Sequence, residues 1–233
     1  LVIFQGMDTA GKDGAVKHIM SGLNPTGVMV HSFKVPTITE LEHDYFWRHY
    51  IDLPARGMIG IFNRSHYENV LVTKVHPEFI LKENLPYINK VEDITPEFWK
   101  QRYKQINRFE KNLVQNGTVI LKFFLHLSQK EQRKRFLERI DDPKKNWKFS
   151  AGDAKERAFW KDYQTVYEEV FSNTSTECAP WFIIPADDKW FTRLAIAEIL
   201  DDRFEALKLN YPEVSDDVKA QLEVVKQQLL DEK

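Results

Sequence analysis

"LVIFQGMDTAGKDGAVKHI", residues 1–19, runs from four apolar residues through a glycine-bearing turn into a stretch with helical spacing. Strand, glycine loop and helix in that order bring backbone N–H groups and a helix N-terminus together on an anion. Gly6, Gly11 and Lys12 satisfy G-x-x-x-x-G-K, yet Asp13 stands where the phosphate-loop pattern has Ser or Thr. Thr9, Ala10 and Gly14 complete a loop whose backbone could cradle phosphate. The same residues would also suit a plain glycine turn with Lys12 at the surface.

Two acidic residues bear on that choice. Asp8 lies inside the loop, where a carboxylate opposes several phosphates unless a cation sits between them. Asp13 falls in the first helical turn, where the helix dipole favours a carboxylate by roughly 0.3–1 kcal/mol without any other role.

Working outward, residues 28–33 and 58–62 read as strands, with a helix expected over 40–51. Thr95-Pro96 opens a helix with apolar Trp99, Tyr103, Ile106, Phe109 and Leu113, closed by Asn116-Gly117. A strand over 118–127 follows, then a helix over 130–141 capped by Ser128 and closed by Pro143. Residues 154–171, 181–184 and 189–207 read as helix, strand and helix, and 215–230 as a solvated or docking helix. Such alternation predicts an α/β fold with three layers, a mainly parallel sheet and ligands at the carboxyl ends of its strands. The expected organisation is one domain over residues 1–233, with a C-terminal helical tail from about 210.

The third strand ends in "IGIFNRSHYENV", residues 59–70, and delivers Asn63 and Arg64 at its carboxyl end. An arginine there suits phosphates, because its planar fork bridges two oxygens and stays charged. A surface salt bridge is the plainer account of the same residue.

Composition narrows the partners. A formal net charge of -2 over 233 residues gives no global pull on nucleic acid or an anionic membrane. No groove-reading motif is visible, and no apolar run reaches membrane-spanning length. One cysteine, Cys178, allows no internal disulfide and fits a reducing cytoplasm. Seven histidines include no H-E-x-x-H or comparable spacing, so a metal hydrolase is disfavoured. The abrupt start in "LVIF" reads as if an upstream segment were missing.

Taken together, "GMDTAGKDG", "FNRSHYE" and "ERIDDPKKNWKFS" resemble the family-2 polyphosphate kinases. The resemblance continues in order through "LNPTGV", "YFWRHY", "FWKDY" and "APWFIIPADDK", to about residue 200. It implies a P-loop kinase fold that moves a terminal phosphoryl group between inorganic polyphosphate and adenine nucleotides. Magnesium is the implied cofactor, with manganese as its alternative, and a homo-oligomer the implied assembly. The loop's aspartate and lysine match Asp8 and Lys12, and in this family the terminal hydroxyl is absent, so Asp13 is no anomaly. Many members have Asp-Arg where this chain has Asn63-Arg64, followed here by His66 and Glu68. That departure resembles the class III subgroup, which accepts both AMP and ADP; it leaves Asp8 as the expected magnesium ligand, with Glu68 on the acceptor side.

Residues 130–148 carry Lys130, Arg133, Lys134, Arg135, Arg139, Lys144, Lys145 and Lys148 against four acids. By itself this is a solvated helix face or a grip on phosphate, and Arg135 and Arg139, four apart, share a face. The resemblance makes residues 128–150 a lid, with Arg135, Arg139, Lys145 and Lys148 toward polyphosphate. Lys34 and Arg48 are further candidates for guiding the chain to the loop. Asp187-Asp188 reads as an acidic pair starting a helix. The nearest rival is an ATP-dependent nucleoside or nucleotide kinase, and a non-catalytic polyphosphate-binding module is another.

Overall fold

A computed structural model describes residues 1–232, with the side chains of Lys148, Ala151 and Ala154 outside the described set. β1 (Val2–Gln5) is buried at every position and feeds the glycine loop and α1 (Lys12–Met20). β2 (Val28–Ser32) follows.

Two short pieces, α2 (Ile38–Leu41) and α3 (Trp47–Tyr50), replace the single helix expected over 40–51. Thr37 and Glu40 form a reciprocal cap that starts α2. Asp44 then accepts from Phe46 N at 2.8 Å, a side-chain turn that diverts the chain before α3.

β3 (Ile59–Asn63) leads through a tight turn into α4 (Glu68–Val75), a helix that the sequence did not announce. Its run "NVLV" is short and rich in β-branched residues, so its period is ambiguous. α5 (Pro96–Gln115) has Pro96 in its first turn, and Thr95 takes the N-cap position without a side-chain capping bond. β4 (Leu121–His126) and α6 (Gln129–Asp141) come next, with Ser128 Oγ accepting from Glu131 N at 3.1 Å.

The helix expected over 154–171 is α7 (Ala151–Glu156) followed by α8 (Trp160–Thr174). β5 (Trp181–Pro185) precedes α9 (Lys189–Ala206), and Asp188 Oδ1 accepts from Trp190 N and Phe191 N at its start. The acidic pair is therefore a helix start, as its position suggested. α10 (Asp216–Asp231) is capped by Ser215. Two compact units result, Leu1–Ala197 and Glu198–Lys233; the sheet and the candidate site lie in the first.

All five strands are parallel, in the order β2-β3-β1-β4-β5. Val2 faces Ile61 on one side and Leu121 on the other, which makes β1 the centre of the sheet. From β1 the chain first goes to one flank and later returns to the other. That reversal opens a crevice at the carboxyl end of β1, where the glycine loop begins.

The core gathers Ile3, Phe62, Tyr67, Leu71, Ile106, Phe124, Tyr167 and Trp181. Lys122 lies inside it with no exposed surface. Its Nζ donates to Glu110 Oε2 (2.7 Å), Tyr67 Oη (2.8 Å) and Thr174 O (2.8 Å), so all three of its donors are satisfied. Tyr67 Oη donates to Glu110 Oε1 at 2.8 Å, and His66 Nε2 lies 3.3 Å from the same oxygen. Burial alone would raise Glu110, but His66 and Lys122 outweigh it and hold its carboxyl below the usual range. This buried ion pair ties β4, α5 and α8 to the turn that carries the site.

Candidate active site

At the end of β1, Gly6 passes so close to β4 that a Cβ would stand 3.0 Å from Leu125 O and 3.1 Å from Ala10 Cβ. Ala10 N donates to Met7 O at 3.1 Å and closes the turn. Gly11 (φ 100°) and Thr9 (φ 63°) adopt left-handed backbone, which for a β-branched residue is strained. The first N–H groups of α1 have no partner within the helix. Lys12 folds back over the loop, with Nζ donating to Gly6 O (2.6 Å) and Met7 O (3.4 Å). Burial pulls its pKa down and the Arg64 charge adds to that, so arriving phosphate would stabilise the ammonium. Gly14, further along α1, borders open space.

Opposite the loop stands Arg64, also left-handed (φ 65°), its N–H donating to Phe4 O at 3.0 Å. A non-glycine residue in that region is held there by its surroundings. The guanidinium lies between Asp8 (Nη2 to Oδ1, 3.2 Å) and Glu68 (Nη1 to Oε2, 3.8 Å). Glu68 foremost raises the Arg64 pKa, while burial pushes the Glu68 carboxyl up. Gln5, with its amide nitrogen toward Glu68, donates to Oε1 at 2.9 Å and accepts from Ser65 N at 3.0 Å. Asn63 Nδ2 donates to Asp13 Oδ1 at 2.7 Å. Asp13 therefore has a partner across the sheet end, where the sequence offered only its helix position.

The structure corrects the pairing of Arg135 with Arg139. Arg135 has five N–H groups, and five protein acceptors take them: Glu131 Oε1 (3.0 Å), Thr9 O (3.0 Å), Ala10 O (3.2 Å), Ala186 O (2.7 Å) and Asp187 O (3.0 Å). It holds the loop from behind, with all five donors taken by protein acceptors. Arg139 Nη1 donates to Asp153 Oδ2 at 3.1 Å, and Lys145 pairs with Asp142 at 3.2 Å on an exposed turn. The Lys148 side chain lies outside the described residues.

Arg48 is buried, pairs with Glu40 at 3.3 Å and lies 5.1 Å from the Phe33 ring centroid. Its Nη2 donates to Lys34 O at 2.9 Å, and Lys34 itself is exposed. Both residues border a cavity of about 280 Å³ whose lining includes Phe33, His49, Arg64, Glu68 and Phe79. Aromatic walls interspersed with charged groups of both signs can take a flat, phosphorylated ligand.

Among the described residues, no three His, Cys, Asp or Glu side chains converge as a metal cage. Magnesium typically takes one or two carboxylates and completes its shell with water and substrate phosphates. Asp8, a quarter exposed beside the loop, fits that mode; a site built wholly from protein ligands would not fit here.

Sequence reasoning passed over Gln5, Gln132 and Arg157, all of which touch the site's framework. Gln132 Nε2 donates to Asp8 O at 3.1 Å, and Arg157 Nη1 donates to Gln132 Oε1 at 2.7 Å. The three-residue spacing of Gln132 and Arg135 was the available signal, since it puts both on one face of α6.

A family model described as "Polyphosphate kinase 2 (PPK2)" matches residues 1–212. The ADP-polyphosphate phosphotransferase of Rhodopseudomonas palustris is 51% identical over 230 residues, covering 99% of this chain and 78% of the relative. An AMP/ADP-polyphosphate phosphotransferase of Meiothermus ruber is 45% identical over 213 residues, covering 91% and 74%. The crystal structure of polyphosphate kinase 2 from Arthrobacter aurescens superposes with a TM-score of 0.86 at 42% identity, over 97% of this chain and 75% of that one. In the described residues no helix is long and apolar enough to cross a membrane.

Proposed function

The chain belongs to the polyphosphate kinase 2 family, and from that premise we propose that it transfers the terminal phosphoryl group of polyphosphate to AMP and ADP. The observation that carries this reading is Arg64. The chain accepts a strained backbone there and sets the guanidinium between Asp8 and Glu68, across from Lys12 and among the residues that line the cavity. A cation in that position can bridge a donor phosphate on the loop and an acceptor phosphate from the cavity.

The attacking group is a terminal phosphate oxygen of the nucleotide. With a second pKa of about 6, that oxygen is already anionic near neutrality, so no strong general base is required. A new P–O bond forms to the terminal phosphorus of polyphosphate as its bond to the next phosphate breaks. ATP or ADP leaves with a polyphosphate one unit shorter, and the reverse transfer uses the same groups. Repulsion between two polyanions and in-line alignment set the barrier.

Lys12 exchanges the Gly6 and Met7 carbonyls for phosphate oxygens, and Arg64 exchanges carboxylates for phosphates. Asp8 would be the protein's ligand to magnesium, which would supply further charge neutralisation when bound with the substrate. The aromatic cavity takes the acceptor's adenosine, with Arg48 and Lys34 at its border. Because Gln132 and Arg135 anchor α6 to the loop, closure falls to residues 142–150 with Lys145, which would exclude water from the donor. In this reading the chain works as a homo-oligomer in the cytoplasm.

Incubation with AMP or ADP and polyphosphate as the sole phosphoryl source tests this reading. ADP and ATP should form only when polyphosphate and magnesium are present, and Asp8→Asn or Lys12→Ala should abolish them with circular dichroism unchanged. Product formed from ATP and a nucleoside but not from polyphosphate would refute it.

A further inference from the structure

The loop's outward side carries an arrangement that the transfer reaction itself does not require. Three consecutive carbonyls, those of Asp8, Thr9 and Ala10, accept hydrogen bonds from side chains of one helix face. Gln132 Nε2 takes the first at 3.1 Å, and Arg135 Nη1 takes the second and third at 3.0 and 3.2 Å. Both side chains are buried, at 1% and 6% exposure.

A trans peptide points its N–H opposite its C=O. Pinning the Asp8 and Ala10 carbonyls toward α6 therefore aims the Thr9 and Gly11 N–H groups away from it, into the cradle. The N–H of the intervening peptide, that of Ala10, is the one used to close the turn on Met7 O. Left-handed Thr9 sits in the middle of this stretch, and such backbone persists where neighbours over-determine it.

The clamp is itself held. Arg157, between α7 and α8, donates from Nη1 to Gln132 Oε1 (2.7 Å) and to Gln129 O (2.9 Å). This fixes which end of the Gln132 amide faces the loop. Arg135 is aligned by Glu131 and by the Ala186 and Asp187 carbonyls after β5.

We propose that Gln132 and Arg135 are positioning residues that aim the phosphate-binding amides of the loop, and that Arg157 sets this aim through Gln132. The inference rests on the phosphate-binding role proposed above for the loop. It makes the segment between α7 and α8 a determinant of polyphosphate affinity although none of the three side chains touches the substrate.

The probe is tripolyphosphate with magnesium, titrated calorimetrically into the folded protein. Gln132→Met and Arg135→Lys should each weaken binding about tenfold, the order expected when a binding group is misaimed. Arg157→Met should weaken it about threefold, in the same direction. The Gln132→Met/Arg157→Met double variant should bind no worse than Gln132→Met alone, because Arg157 acts through that residue. Unchanged affinity in folded Gln132→Met, or fully additive losses in the double variant, would overturn the proposal.

Hydrogen exchange of the residue 8–11 amides needs no substrate and should accelerate in Gln132→Met and Arg135→Lys. If the wild-type protein failed to bind tripolyphosphate, the functional reading would fall, while the exchange rates would still judge the clamp. Should Arg135→Lys not fold, Gln132→Glu serves in its place: it turns an acceptor toward Asp8 O and should weaken tripolyphosphate binding while keeping the Arg157 contact.

Discussion

Asn63 Nδ2 lies 2.7 Å from Asp13 Oδ1, joining the last residue of β3 to the first turn of the helix that follows the phosphate loop. The pair fixes the spacing between the two rims of the crevice, and it depends on Asn63 being a donor.

Asn63→Asp turns that contact into two facing carboxylates, one of which must hold a raised pKa. A raised acid pKa means that the folded state binds the proton more tightly, so stability falls as pH rises through the interval above the ordinary carboxylate value. Each tenfold gain in proton affinity corresponds to about 1.4 kcal/mol. Urea titrations should show Asn63→Asp well below wild type at pH 7 and close to it near pH 4. An equal deficit at both values would show that the two side chains do not interact.

Arg64→Lys keeps the charge but removes the fork that spans Asp8 and Glu68. A single ammonium cannot bridge donor and acceptor phosphates in the same plane. kcat for ATP formation from ADP is expected to fall roughly 10²-fold, the order seen when one transition-state donor is lost. Steady-state kinetics at saturating polyphosphate provide the check, and a change in KM alone would assign Arg64 to ground-state binding.

Lys122→Met strands Glu110 in the core, and breaking a buried pair from one side typically costs about 3–5 kcal/mol. Lys122→Met with Glu110→Leu should recover much of that loss, because no uncompensated charge remains. Chemical denaturation of both variants measures the difference. A double variant less stable than the single would show that the pair stabilises the fold beyond its own desolvation.

Two buried histidines predict acid sensitivity. Burial first, and then His66 and Arg48, pull His49 well below its ordinary 6.5; burial likewise lowers His66. The unfolded chain then binds more protons between the folded pKa and 6.5, so stability is lost as pH falls through that window. Each histidine contributes up to about 1.4 kcal/mol per pH unit. His49→Phe, set among Phe33, Phe62 and His66, should flatten the slope of the thermal midpoint between pH 6.5 and 5. An unaltered slope would remove His49 from the acid response.

By itself the sequence determined the strand, glycine loop and helix at residues 1–20, the alternating α/β order, and Asp8, Lys12, Asn63 and Arg64 as the residues at the strand ends. Those are local properties: apolar runs, glycines where the chain turns sharply, and polar residues placed where a buried strand must stop. The split of α2 from α3, the helix α4, the Asn63 to Asp13 contact and the inward turn of Arg135 were decided only by tertiary structure. A cation four residues from another on a helix can face solvent, substrate or protein, and spacing does not distinguish these. Arg135 faces protein because five acceptors, four of them backbone carbonyls from two loops distant in sequence, meet at its guanidinium once the sheet has formed.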